Sequence, residues 1–235
     1  MKIGKYIILC LVALLALASC EKDENPYDYL IPLKERNQLD SEAIVIYLKE
    51  NGFNEKGVAT SLTLLPKGTP ALYDLATQDE TGYWYVVNPQ VSANGASPAS
   101  NDKDSILLQY NLFSFIPVKI PNETSEKKYD LKVVPTMVES TINTTGVPMW
   151  DPSFYYINPN GNKSPEAYEI KALVDGLKHF KATDREAKAK PPVQFQGLII
   201  VPSRLAFGRK PSYLVSGYDQ SFILNFELYQ VKARK

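Results

Sequence analysis

Apolar and polar positions along the 235 residues alternate between two periods. Residues 40–53, DSEAIVIYLKENGF, carry Ala43, Ile44, Tyr47 and Leu48 at helical spacing behind an Asp40 or Ser41 cap, with Gly52 as the stop. This predicts one helix. Before it, residues 25–39 mix Pro, Tyr and charge without a period and read as a tether. Strands are predicted at 58–65, at 83–88 and at 105–115 (SILLQYNLFSF), with a short one at 132–134. A second helix is predicted over 172–180, and two long strands close the chain at 194–201 and 221–232. Few helices among many strands imply an α+β fold with a mostly antiparallel sheet.

Two segments resist a simple assignment. Residues 198–208, LIIVPSRLAFG, leave a buried-strand run at Pro202, which has no N–H for the ladder, and then place Leu205, Ala206 and Phe207 on a turn. Such a turn either plugs the core or lines a pocket. Residues 146–164 are rich in Pro, Asn and Gly, yet Trp150, Phe154, Tyr155 and Tyr156 are set among them. Linkers do not carry such aromatics, so this is expected to be a long ordered loop or lid. Residues 184–190 form a charge run expected on a solvated surface.

The N-terminus carries the most specific signal. Lys2 and Lys5 precede an apolar run at 7–19 that is too short for a permanent membrane span, as in a secretory signal. Leu17, Ala18, Ser19 and Cys20 resemble the lipobox of bacterial lipoproteins, which would make Cys20 the lipidated N-terminus of the mature protein. Glu21, Lys22, Asp23 and Glu24 resemble the acidic export signal of Bacteroidetes lipoproteins carried to the outer face of the outer membrane, so an outer-membrane, lipid-anchored location is expected, with the periplasmic and the surface-exposed face both open. The boundaries are a signal peptide at 1–19, a tether at 20–39, an N-terminal extension at 40–104 and a main domain at 105–235.

With 26 basic and 26 acidic side chains, no global field selects nucleic acid. With Cys10 lost in the signal and Cys20 used for lipid, the mature domain has no thiol chemistry. The single histidine, His179, removes most zinc sites and most Ser-His-Asp arrangements and reads as an exposed helical residue. No cofactor or metal is expected.

Three stretches in order resemble the FKBP-type peptidyl-prolyl isomerases: LIIVPSRLAFG at 198–208, SFILNFELYQV at 221–231 and ALVDGLKHF at 172–180. SILLQY at 105–110 and VEST at 138–141 are similar to further strands of that family, and the helix with GYWYVV resembles the extension of Bacteroidetes FKBP-like lipoproteins. The resemblance implies a bent antiparallel sheet wrapped around a short helix, with an apolar pocket between them that grips a prolyl ring. It assigns catalytic positions to Tyr110, Glu139, Val174 and Phe207, and substrate contacts to Val138, Leu177, Val215 and Leu224. Tyr110 keeps the family's pocket tyrosine. Leu177 stands where the family has a pocket-floor Trp, Phe207 where it has a Tyr, and Leu224 where it has a wall Phe.

The chemistry so implied needs no nucleophile. An X-Pro bond rotates over a barrier of roughly 18–20 kcal/mol set by amide resonance, and a dry pocket favours the twisted, less polar state. Losing a ring and a hydroxyl worth on the order of 1 kcal/mol each would slow turnover ten- to a hundredfold. Two functions follow from the resemblance: an anchored prolyl isomerase of reduced activity acting on proline-containing polypeptides in the envelope, or a catalytically degenerate module that binds a polypeptide or surface partner through its pocket or through the loop bearing Trp150 and Tyr155. A carbohydrate-binding surface lipoprotein is the third, resting on location and aromatics.

Overall fold

The computed structural model describes residues 30–185 and 194–235. The expected signal peptide, Cys20, the first half of the tether (20–29) and residues 186–190 of the charge run lie outside them. The chain divides between Leu33 and Lys34, and all the described strands lie in the unit Lys34–Lys235.

Helix α1 (Leu33–Glu50) leads directly into a small hairpin, β1 (Asn51–Phe53) with β2 (Ala59–Ser61). After a short α2 (Leu72–Leu75) come β3 (Ala76–Gln78), β4 (Trp84–Val87) and the twelve-residue β5 (Asp104–Phe115). A second hairpin joins β6 (Val118–Pro121) to β7 (Tyr129–Lys132), followed by β8 (Thr136–Ser140), α3 (Thr141–Thr144) and β9 (Met149–Trp150). The chain ends with α4 (Lys171–Leu177), β10 (Gly197–Val201) and β11 (Ser221–Ala233). Among the described residues, seven strands form one sheet in the order β3-β4-β10-β11-β5-β8, with β9 also on β5, and each pairing is antiparallel. The fold is α+β, a mostly antiparallel sheet with a short helix against it and a helical N-terminal extension.

The sheet is buried on both faces, which is why its central strands read as near-continuous apolar runs. On one face Ile106, Leu108, Tyr110 and Leu112 of β5, Ile199 and Val201 of β10, and Phe222, Leu224, Phe226 and Leu228 of β11 pack with Leu173, Val174 and Leu177 of α4. On the other, Leu198, Ile200 and Ile223 meet Ala43, Ile44 and Leu48 of α1. Residues two apart on a strand share a face, so β10 and β11 supply alternate side chains to two separate cores.

Several expectations need correction. Residues 33–39 belong to α1 and not to a tether: Leu, Lys, Glu, Arg and Gln are good helix formers, and Leu39 is buried. Asp40 is therefore a buried mid-helix residue, not a cap. The strand expected at 58–65 stops at Ser61, because Leu62–Leu64 turn into a 3₁₀ segment ahead of Pro66. The strand expected at 132–134 lies earlier, at Tyr129–Lys132, where it pairs with β6. Nor does the chain divide at 104/105, since β3 and β4 of the supposed extension extend the main sheet through the β4–β10 pairing.

Candidate functional site

The residues named from the resemblance converge in space. Tyr110, Val174, Leu177, Phe207 and Leu224 belong to the core on the α4 face, and Val138 and Val215 pack against it from the edge. Val174 and Leu177 come from α4, which approaches the sheet closely because Gly176 faces β10: a Cβ there would meet Ile199 Cγ2 at 2.9 Å. Leu224 and Tyr110 sit on β11 and β5, each strand alternating so that these side chains point toward α4. Phe207 follows the 3₁₀ turn Ser203–Leu205 and meets Phe222 edge-on, with ring centroids 5.9 Å apart.

Convergence does not leave a cavity among them. Tyr110, Leu177 and Leu224 are 0 % exposed, Val174 6 % and Phe207 8 %. The turn at 202–208, which the resemblance makes a pocket wall, packs into the core instead, with Phe207 against Phe222. Tyr110 is covered by the aromatic segment: Phe154 sits edge-on to it at 5.1 Å, and its hydroxyl donates to Met149 Sδ at 3.9 Å. Burial pushes that hydroxyl well above the ordinary tyrosine range, and the Glu139 carboxylate beside it pushes the same way. A group held so firmly protonated can donate a hydrogen bond but cannot serve as a base.

Residues 146–164 form the long loop expected, held down along its length. Asp151 accepts hydrogen bonds from Ile106 N at 3.0 Å and Arg234 Nη1 at 2.7 Å, and Met149–Trp150 pair with Leu107 and Leu108 on β5. Tyr155, expected to serve a partner, is buried with its hydroxyl donating to Asp104 O at 3.2 Å, and only Trp150 of that expected pair is exposed, at 42 %. Lys232 Nζ lies 4.9 Å from the Trp150 ring. His179 is exposed as expected, just past α4, yet it stacks on Tyr85 at 4.0 Å and pairs with the Tyr83 hydroxyl at 3.0 Å.

The open space beside this core is a cleft of about 550 Å³ that takes in the two edge residues of the expected set, Val138 and Val215. Its walls are the end of β5 (Ser114, Phe115, then Ile116), the start of β8 (Thr136, Met137, Val138) and residues Leu214, Val215, Ser216 and Gln220, with Val134 at one end. All are uncharged. Met137, Leu214 and Ile116 were not anticipated; the signal available for them was apolar character directly beside Val138, Val215 and Phe115 in the chain. Val138 reaches the cleft through a bulge, since Leu112 pairs with Glu139 and Phe113 with Met137 and Val138 is the extra residue between. A larger cleft of about 630 Å³, between Phe53–Lys56 and residues 65–70, shares no residue with the expected site. Among the described residues no cluster of His, Cys, Asp and Glu suits a metal ion.

No family model and no curated protein matches this chain. Its fold is similar to that of FkpA from Escherichia coli at 18% identity and a TM-score of 0.37, over 68% of this chain and 52% of that one. The chain thus spans about half of that protein. It is similar also to a peptidyl-prolyl cis-trans isomerase from Pseudomonas syringae at 9% identity and a TM-score of 0.42, covering 86% of this chain and 97% of that one. A DUF4827 family protein from Parabacteroides distasonis aligns at 11% identity and a TM-score of 0.40, over 84% of this chain and 97% of the other.

Proposed function

We propose that this protein is an envelope lipoprotein of FKBP-like architecture that binds an extended polypeptide segment in the β8-side cleft, with prolyl isomerase activity lost. The observation that carries this reading is the complete burial of Tyr110, Leu177 and Leu224. The positions that would grip a prolyl ring are filled by the protein's own side chains. A ring entering there would have to displace Phe154 from Tyr110 or Phe222 from Phe207, and such packing does not yield without cost.

The cleft fits a peptide by its chemistry. Met137, Val138, Leu214 and Val215 offer apolar contact, while Ser114, Thr136, Ser216 and Gln220 offer neutral hydrogen-bonding groups suited to a main chain. An uncharged lining supplies no partner for a desolvated charge, so proline-containing segments of uncharged residues are the proposed ligands. Anchoring belongs to the same proposal: lipidation of Cys20 would hold the domain at the outer membrane.

The test pairs two measurements on residues 21–235. A protease-coupled isomerisation assay with proline tetrapeptides should stay at the thermal rate, while the same uncharged peptides should shift the Met137 methyl resonance. Acceleration abolished by Tyr110→Ala in a folded variant would overturn the proposal in favour of an isomerase. For the anchor, Cys20→Ser should move the full-length protein from the membrane to the soluble fraction; unchanged partitioning would refute lipidation.

A further inference from the structure

One wall of the cleft hangs on a buried ionic cluster that reaches back to α1. The segment 203–219 leaves β10, carries Leu214 and Val215 to the cleft and returns to β11. Its first foot is Ser203, 1 % exposed, whose hydroxyl donates to Asp40 Oδ2 at 2.5 Å and whose N–H points to the same oxygen at 3.2 Å. Its second foot is Asp219, also buried, in the left-handed region at φ 56°, with its N–H bonded to Gly208 O at 2.8 Å across the neck. Arg209 donates to the Asp219 carboxylate from within the segment at 3.3 Å, and Arg36 Nε of α1 approaches that carboxylate at 3.7 Å. Arg36 Nη1 lies 3.6 Å from Asp40 Oδ1.

These α1 contacts are built differently from an ordinary structural ion pair. Arg36 Nε and Nη1 and Asp40 Oδ1 are buried and make no hydrogen bond, so charges removed from water meet at distances too long for one. A buried pair in that state recovers little of its desolvation cost. The tip of the segment, by contrast, is pinned independently of α1: Tyr213 N–H donates to Ala167 O at 3.0 Å, and Ser212 Oγ supports Leu214 N at 3.0 Å.

We propose that Arg36 and Asp40 are positioning residues for the cleft: from α1 they hold both feet of segment 203–219, while its tip is held separately at Ala167, so that the seating of α1 sets where the segment carrying the Leu214–Val215 wall leaves and rejoins the sheet. The inference rests on the reading of the cleft as the binding site only in its consequence for peptide affinity; the mechanical claim stands without a ligand. Helix α1 thereby couples its own placement, on the opposite face of the sheet, to the site.

Amide hydrogen exchange on residues 21–235 tests it. In Arg36→Met, exchange at the Lys210 and Asp219 amides, at the foot that Arg36 approaches, should rise about tenfold while Tyr213 and the amides of β10 and β5 keep their rates; Arg36→Lys, which retains the charge, should restore part of the protection. Asp40→Asn, in case Arg36→Met fails to fold, should raise exchange at 203–208 selectively. Unchanged rates at both feet, or a uniform rise through the whole sheet, would overturn the inference. Titration with the uncharged proline peptides then separates the two claims. Faster exchange with several-fold weaker binding supports both, whereas faster exchange with no peptide bound by the unaltered protein leaves the positioning role standing and removes the cleft as the binding site.

Discussion

Leu177 shows what a single residue decides. The resemblance puts it where a tryptophan would floor a prolyl pocket; in the fold it lies on α4 in one core with Tyr110 and Leu224. What its sequence neighbours did not reveal is that leucine here is sealed, with α4 held against Ile199 by Gly176. Leu177→Trp therefore overpacks a filled core and is expected to destabilise the protein by roughly 1–3 kcal/mol without raising isomerase activity. Urea unfolding together with the coupled assay checks this. A gain of turnover at an unchanged midpoint would mean that a pocket exists behind these side chains. Which face a residue takes follows from its place in a strand or helix, but whether space remains around it depends on every neighbour at once.

Among the elements, α1 and the Trp150 segment each rest on a charged group. Burial raises the Asp40 carboxyl above its usual 3.8, outweighing the opposing influence of Ser203 and Arg36, while Asp219 adds to the rise. The folded state thus holds this proton more tightly than the unfolded chain, so the contribution to stability is greatest below the ordinary value and is lost as pH rises through the raised one. Asp40→Asn should remove that slope. The difference between the two proteins' urea midpoints, followed from pH 4 to 7, isolates it from other carboxylates; a constant difference would refute the assignment. In the aromatic segment, Asp151 combines φ 45° with bonds to Ile106 and Arg234. Asp151→Ala should cost roughly 1–3 kcal/mol through the lost charged hydrogen bonds, read as a lower unfolding midpoint with faster exchange at 149–156. The ordered character of this stretch was legible from its aromatics. Its partner Arg234, 83 residues away, carried no local sign.

Across the molecule, the two cores on opposite faces of one sheet make the N-terminal extension indispensable. A chain limited to residues 105–235 would leave Leu198, Ile200 and Ile223 without α1 and β10 without β4. Such a fragment is expected to aggregate or to lack a cooperative thermal transition, whereas residues 30–235 should unfold in one step by calorimetry; a cooperative 105–235 fragment would show that the extension is separable. The α+β class and the strands β5, β10 and β11 were legible in the amino-acid pattern, because they depend on local periodicity and on where Pro and Gly interrupt it, whereas the short β3, β6 and β9 carried no such pattern. The grouping of Tyr110, Val174, Leu177, Phe207 and Leu224 was legible too, through the stretches in which they stand. That these residues close on one another, that the open cleft lies beside them at Val138 and Val215, and that Asp40 turns inward to Ser203 emerged from the folded arrangement alone. Packing density, burial of charge and contacts between residues 163 positions apart are set by the whole fold at once, and no local pattern encodes them.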